Sequence, residues 1–147
     1  MVTTAKRSRS GRWRAKWPPI NLSGMTPAEL MRQIDTQLAH VWMVRAFLKH
    51  SDEAQEDDEV AEVHRELYDY MLALGAPLKG EDADEYLKIA RKKLAKLRRA
   101  TELFTEIQPQ VSSHTNFQMA AASLRAAVAQ VANLLQTSEN PNPKSKI

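Results

Sequence analysis

The chain has 147 residues, 43% of them hydrophobic and none of them cysteine, which fits one domain with a single core and excludes disulfide staples, thiolate metal ligands and a thiol nucleophile. Its formal net charge of +3 is unevenly spread: residues 1–20 hold Lys6, Arg7, Arg9, Arg12, Arg14 and Lys16 with no acid, so the arm is +6 and the rest of the chain is −3. A basic arm on a mildly acidic body points to a polyanionic partner, nucleic acid before a membrane surface.

The first segment, residues 1–25, is rich in Ser, Gly and Pro and has no 3.6-residue apolar period, so it reads as an arm that is disordered by itself. Within it Arg12-Trp13-Arg14-Ala15-Lys16-Trp17 interleaves cations with two large aromatics, a combination suited to phosphate contact and to stacking on unpaired bases. The same tryptophans, followed by Pro18-Pro19-Ile20, could instead strap back onto the body or onto a second subunit.

Residues 26–136 read as four amphipathic helices. Thr26-Pro27-Ala28-Glu29 opens the first with an N-cap, a proline in the first turn and a capping-box glutamate. Leu30, Ile34, Leu38, Val41 and Leu48 then fall within a band about 80° wide, so this helix runs from about residue 27 to His50 with one apolar face. The acidic stretch from Ser51 to Glu59 reads as a loop, with a new start near Asp57 or Asp58. Val60, Val63, Leu67, Tyr70, Met71 and Leu74 form the apolar seam of the second helix, and Gly75 is expected to end it as a left-handed cap with Pro77 beyond. Asp82-Ala83-Asp84-Glu85 opens the third helix, whose seam is Leu87, Ala90, Leu94, Leu97, Thr101 and Phe104 and whose expected end is about residue 107, before Pro109. A cap at Ser113 or Thr115 begins the fourth, with the seam Phe117, Ala121, Leu124, Val128, Val131 and Leu135 flanked almost entirely by alanine. Residues 137–147, with two prolines and no period, read as a disordered tail. The expected fold is all-α: a four-helix bundle, up-down-up-down, with connections of about seven, eight and seven residues.

No apolar run approaches the ~20 residues that cross a bilayer, and the first twenty lack the apolar stretch of a secretory signal. The expectation is a cytoplasmic protein that does not enter the membrane. A di-metal carboxylate site in such a bundle needs Glu-x-x-His. None of His40, His50, His64 and His114 lies three residues after a glutamate, so no metal is expected. Four glycines are too few for a phosphate-cradling loop, and no cofactor is expected.

Arg45 lies inside the apolar band of the first helix, where a guanidinium needs a partner. The expectation is an ion pair with an acid of a neighbouring helix, Glu66 or Asp69. Arg45-Ala-Phe-Leu-Lys-His50 also has the form R-x4-H, which resembles the signature of the HEPN superfamily, helical domains many of which are metal-independent ribonucleases acting as dimers. The resemblance implies Arg45 and His50 as catalytic residues converging on the 2′-hydroxyl and phosphate of RNA. On an ideal helix the two are about 140° apart, so a kink or helix end would have to bring them together.

Lys88, Arg91, Lys92, Lys93, Lys96, Arg98 and Arg99 wrap the third helix, with Asp84 and Glu102 as i,i+4 partners, and read as a positive surface able to take phosphate. Met43 and Phe47 project away from the first helix's apolar band, next to Trp42, and read as a patch for a homodimer through that helix. The function these features favour is a non-enzymatic protein that contacts nucleic acid or a nucleoprotein assembly through Lys6, Arg7, Arg9, Arg12, Trp13, Arg14, Lys16 and Trp17, with Arg91, Lys92, Lys93, Lys96 and Arg99 in support. The HEPN-like ribonuclease and a structural interaction module are the alternatives.

Overall fold

The computed structural model describes residues 24–139, and the arm residues Lys6 to Trp17 lie outside it. The described residues are all-α, with no strand: α1 is Pro27–Lys49, α2 Asp52–Glu56, α3 Asp58–Lys79, α4 Ala83–Val111 and α5 Thr115–Glu139. Among them no helix is long and apolar enough to cross a membrane.

α1 begins where its sequence says. Thr26 Oγ1 accepts from the Glu29 amide at 3.1 Å and the Glu29 carboxylate accepts from the Thr26 amide at 2.9 Å, so two amide groups that helix geometry leaves unpaired are satisfied. Those hydrogen bonds hold the Glu29 carboxyl below the ordinary glutamate value. The acidic stretch expected as a loop contains the short helix α2, because the Ser51 hydroxyl caps the Ala54 amide at 3.2 Å and Ala54 is buried. The Asp57 carboxylate then takes the amides of Glu59 and Val60 at 2.8 and 3.2 Å and starts α3.

The end of α3 corrects the expectation at Gly75. The helix runs through Gly75 and Pro77 to Lys79, and no glycine among the described residues has a positive φ. A proline in the last turn removes one hydrogen bond near a frayed end, and the Pro77 ring is buried, so packing offsets the loss. The chain reverses instead in a Schellman motif: the Asp82 amide donates to the Pro77 carbonyl at 2.8 Å and the Glu81 amide to that of Leu78 at 3.1 Å. The left-handed residue is Glu81, with φ 54°.

α4 likewise passes Pro109 and ends at Val111, where buried Gln108 donates through Nε2 to the Ser112 carbonyl at 2.9 Å. α5 is capped by neither Ser113 nor Thr115. His114 does it: its Nδ1 accepts from the Asn116 amide at 3.0 Å and its carbonyl from the Phe117 amide at 2.9 Å. α5 continues to Glu139, into the segment expected as tail. The second and third connections therefore shrink, to residues 80–82 and 112–114.

The four long helices surround one core. α1 packs on α3 and α5, and α4 on α3 and α5, so each touches two neighbours closely. Every expected seam residue is buried except Met71 and Leu94, which are partly buried against the same cluster. Thr101 sits in that core with its hydroxyl donating to the Leu97 carbonyl at 2.8 Å, which removes the penalty of an unpaired oxygen. Phe47 belongs to this packing: its ring meets Phe117 of α5 edge-on at 4.9 Å. Met43 is 66% exposed, so the expected Met43–Phe47 patch is divided, one residue packed and one in water.

Candidate functional site

Along α1, Trp42, Arg45 and Lys49 are spaced three and four residues apart, which brings them to one side of the helix. Across the seam α3 presents His64, Arg65 and Tyr68. The Arg45 guanidinium carbon lies 4.9 Å from the Trp42 ring centre and 4.4 Å from that of Tyr68, and the two centres are 6.3 Å apart. Those distances make roughly a right angle at the guanidinium, so it occupies the corner between two tilted rings rather than the gap of a sandwich. Both contacts are cation–π in kind.

The expected ion pair of Arg45 with Glu66 or Asp69 is absent. Among the described residues the ion pair within 4.0 Å is Arg32 with Glu81, at 3.5 Å and well exposed. Asp69 faces water, and Glu66 lines a different groove, on the α4 side of α3. The rings do for Arg45 what a carboxylate was expected to do. Its Nε is buried and has no hydrogen-bond acceptor among the described residues.

His50, the second half of the R-x4-H pattern, is exposed at the C-cap of α1, where its amide donates to the Ala46 carbonyl at 3.2 Å. The histidine in the electrostatic neighbourhood of Arg45 is His64. Partial burial holds His64 below the ordinary histidine value of 6.5, and the positive charges of Arg65, Arg45 and Lys49 lower it further. The sequence singles out neither His64, beyond excluding it as a metal ligand, nor Lys49, Arg65 or Tyr68. The 42/45/49 spacing was the signal on α1, but nothing local pairs it with α3.

Trp42, 44% exposed, has a second environment. It stands at the edge of an apolar groove of about 290 Å³ between α1 and α3, lined also by Leu38, Ala39, Met71, Leu74, Gly75 and Leu78, with Asp35 at its side. Gly75 leaves this groove open, since a Cβ built there meets nothing within 4 Å.

The basic run of α4 divides. Lys92 and Lys93 are exposed, and Arg91 is half-buried with its Nε enclosed and unpartnered. Lys96 and Arg99 line a groove of about 410 Å³ between α3 and α4 together with Glu62, Glu66, Glu102 and Glu106. Four carboxylates beside two cations make this groove a poor seat for phosphate. No cluster of three or more His, Asp or Glu among the described residues is arranged to hold a metal ion.

No family model matches the chain, and neither a curated protein nor a solved structure matches it.

Proposed function

We propose that this chain is a non-enzymatic nucleic-acid-binding protein, an up-down-up-down four-helix bundle that holds a basic arm against RNA, DNA or a nucleoprotein assembly. The packing of each long helix on its neighbours in chain order supports the bundle topology. The observation that carries the function is the segregation of charge, +6 in residues 1–20 against −3 in the remainder, with Trp13 and Trp17 set among the arginines. Arm cations that neutralise phosphates release condensed counterions, so binding is strong at low salt and falls steeply as salt rises. A homodimer through α1 finds less support, because Phe47 is taken up by Phe117. The ribonuclease reading finds less too, since Arg45 is engaged by rings while His50 caps a helix.

The test replaces Arg7, Arg9, Arg12 and Arg14 by serine in the full chain and measures binding of a fluorescein-labelled oligonucleotide by anisotropy. The salt slope of log affinity is expected to become shallower by about three to four. Unchanged affinity and slope would remove the arm from the function.

A further inference from the structure

The seam between α1 and α3 gathers Arg45, Lys49 and Arg65 on one side of Trp42, while Asp35 lies along the groove on the other. Among the described residues Arg45, Lys49 and Arg65 have no carboxylate within 4.0 Å, on a body whose net charge is negative. Beside them Trp42 offers a partly exposed aromatic surface at an apolar groove of about 290 Å³. An aromatic platform with adjacent unpaired cations is what an unpaired base and its flanking phosphates require. A duplex does not fit this description, since its bases are already stacked and a lone tryptophan at a shallow groove gains nothing from them.

We propose, building on the nucleic-acid reading above, that this seam is a second contact site, on the body rather than the arm, for a single-stranded nucleic acid: Trp42 stacks a base at the mouth of the groove while Arg45, Lys49 and Arg65 contact the neighbouring phosphates. Three features make the geometry suit this ligand. The two rings hold the Arg45 guanidinium in place before anything binds, so little side-chain entropy is left to lose. Arg45 and Lys49 are one turn apart along α1, a rise of about 6 Å, which lets one strand running along the helix meet both. Lys49 and Arg65 are exposed, so the strand reaches them without opening the fold. The opposite groove, with Glu62, Glu66, Glu102 and Glu106, repels the same ligand and leaves the strand one face to follow.

The experiment uses the full chain and two fluorescein-labelled probes, an oligothymidylate and a duplex of the same length, titrated at low and moderate salt. Trp42→Leu is expected to weaken single-strand binding about tenfold, as the loss of one stacked base does, and to leave duplex binding within about twofold. Lys49→Gln with Arg65→Gln, both at exposed positions, is expected to make the single-strand salt slope shallower by one to two, about one for each lost phosphate contact. Circular dichroism melts check that both variants fold, and the second remains informative if Trp42→Leu does not. Wild-type protein that binds neither probe would overturn the nucleic-acid reading itself. Wild-type binding that the arm substitutions abolish and both seam variants leave intact would keep that reading and overturn this site. Equal loss on single strand and duplex in Trp42→Leu would also overturn it, because stacking would then play no part.

Discussion

α3 stands between two grooves, and they differ in what surrounds their cations. On the α1 side, Arg45 rests against Trp42 and Tyr68, and Lys49 and Arg65 are close enough to disfavour a proton on His64. On the α4 side, Lys96 and Arg99 are set among four glutamates. By count of basic residues α4 is the more cationic helix, yet its groove is the better compensated. Charge counted along one helix therefore misleads about potential, which depends on what the neighbouring helix brings up against it. The aromatic corner also shows that a half-buried guanidinium can be accommodated by ring quadrupoles without any acid, which frees its charge for a ligand.

Reversing the contrast should give the largest effect. Glu62→Gln, Glu66→Gln and Glu106→Gln together strip the α3–α4 groove of most of its acid, and oligonucleotide affinity in low salt is expected to rise about tenfold. Lys96→Gln with Arg99→Gln is expected to change it by less than about twofold. Anisotropy titrations check both, and a large loss in the second would mean that this groove already carries phosphate.

Stability separates the rings from the acid. Arg45→Ala is expected to cost about 1 kcal/mol in chemical denaturation, the range of partly exposed cation–π contacts. A loss of about 3 kcal/mol, the scale for breaking a buried ion pair, would show that a carboxylate holds Arg45 after all.

Two buried tyrosines extend the comparison into the core. Tyr70 of α3 donates to the Ala90 carbonyl of α4 at 3.0 Å, whereas the buried Tyr86 hydroxyl has no partner among the described residues. Burial pushes both phenols above the ordinary tyrosine value, and Asp35 adds to the effect at Tyr86. Tyr70→Phe is expected to lower stability by about 1 kcal/mol and Tyr86→Phe to raise it by about as much, because only the first change removes a made hydrogen bond. Thermal melts moving in the same direction for both would break the distinction.

Gly75 offers a smaller gain on the α1 side. It lies inside a helix with open space where its Cβ would be, so Gly75→Ala should add about 0.5–1 kcal/mol through reduced freedom of the unfolded chain. An unchanged or lowered melting temperature would mean that the groove depends on the missing side chain.

The smallest effect is one of pH. Since the fold holds His64 below its ordinary value of 6.5, the neutral ring stabilises the folded state above that value, and the contribution is lost as pH falls through the lowered one. Between pH 7 and about 5.5 the wild type should therefore lose slightly more stability than His64→Gln. Lys49→Gln with Arg65→Gln should shrink the difference, and parallel pH profiles would remove the cations from the neighbourhood of His64.

What could be read from the sequence about this fold was what short range decides. The caps at Thr26, Asp57 and Asp82 depend on residues two or three positions away, so their patterns carry full information. The apolar seams follow from a period that any helix imposes, and nearly every seam residue is buried. The same local rules misjudged Gly75, Pro77 and Pro109. A proline in the last turn removes a single hydrogen bond, which burial of the ring offsets at Pro77, whereas Pro109 is exposed and α4 still runs two residues past it.

The candidate site was the least legible part. Trp42, Arg45 and Lys49 have helical spacing in the sequence, but Tyr68 and His64 stand about twenty residues further on, across a reversal that includes α2. An all-α chain with its seams, its N-caps and a basic arm set apart from an acidic body follows from local pattern and composition alone. That Arg45 meets two rings instead of Glu66, and that Glu62 and Glu66 of α3 join Glu102 and Glu106 beside Lys96 and Arg99, follows from how the helices pack. Caps and periods act through neighbours along the chain, whereas the surroundings of a charge are set by whichever helices pack against it, and that pairing is not encoded at any single position.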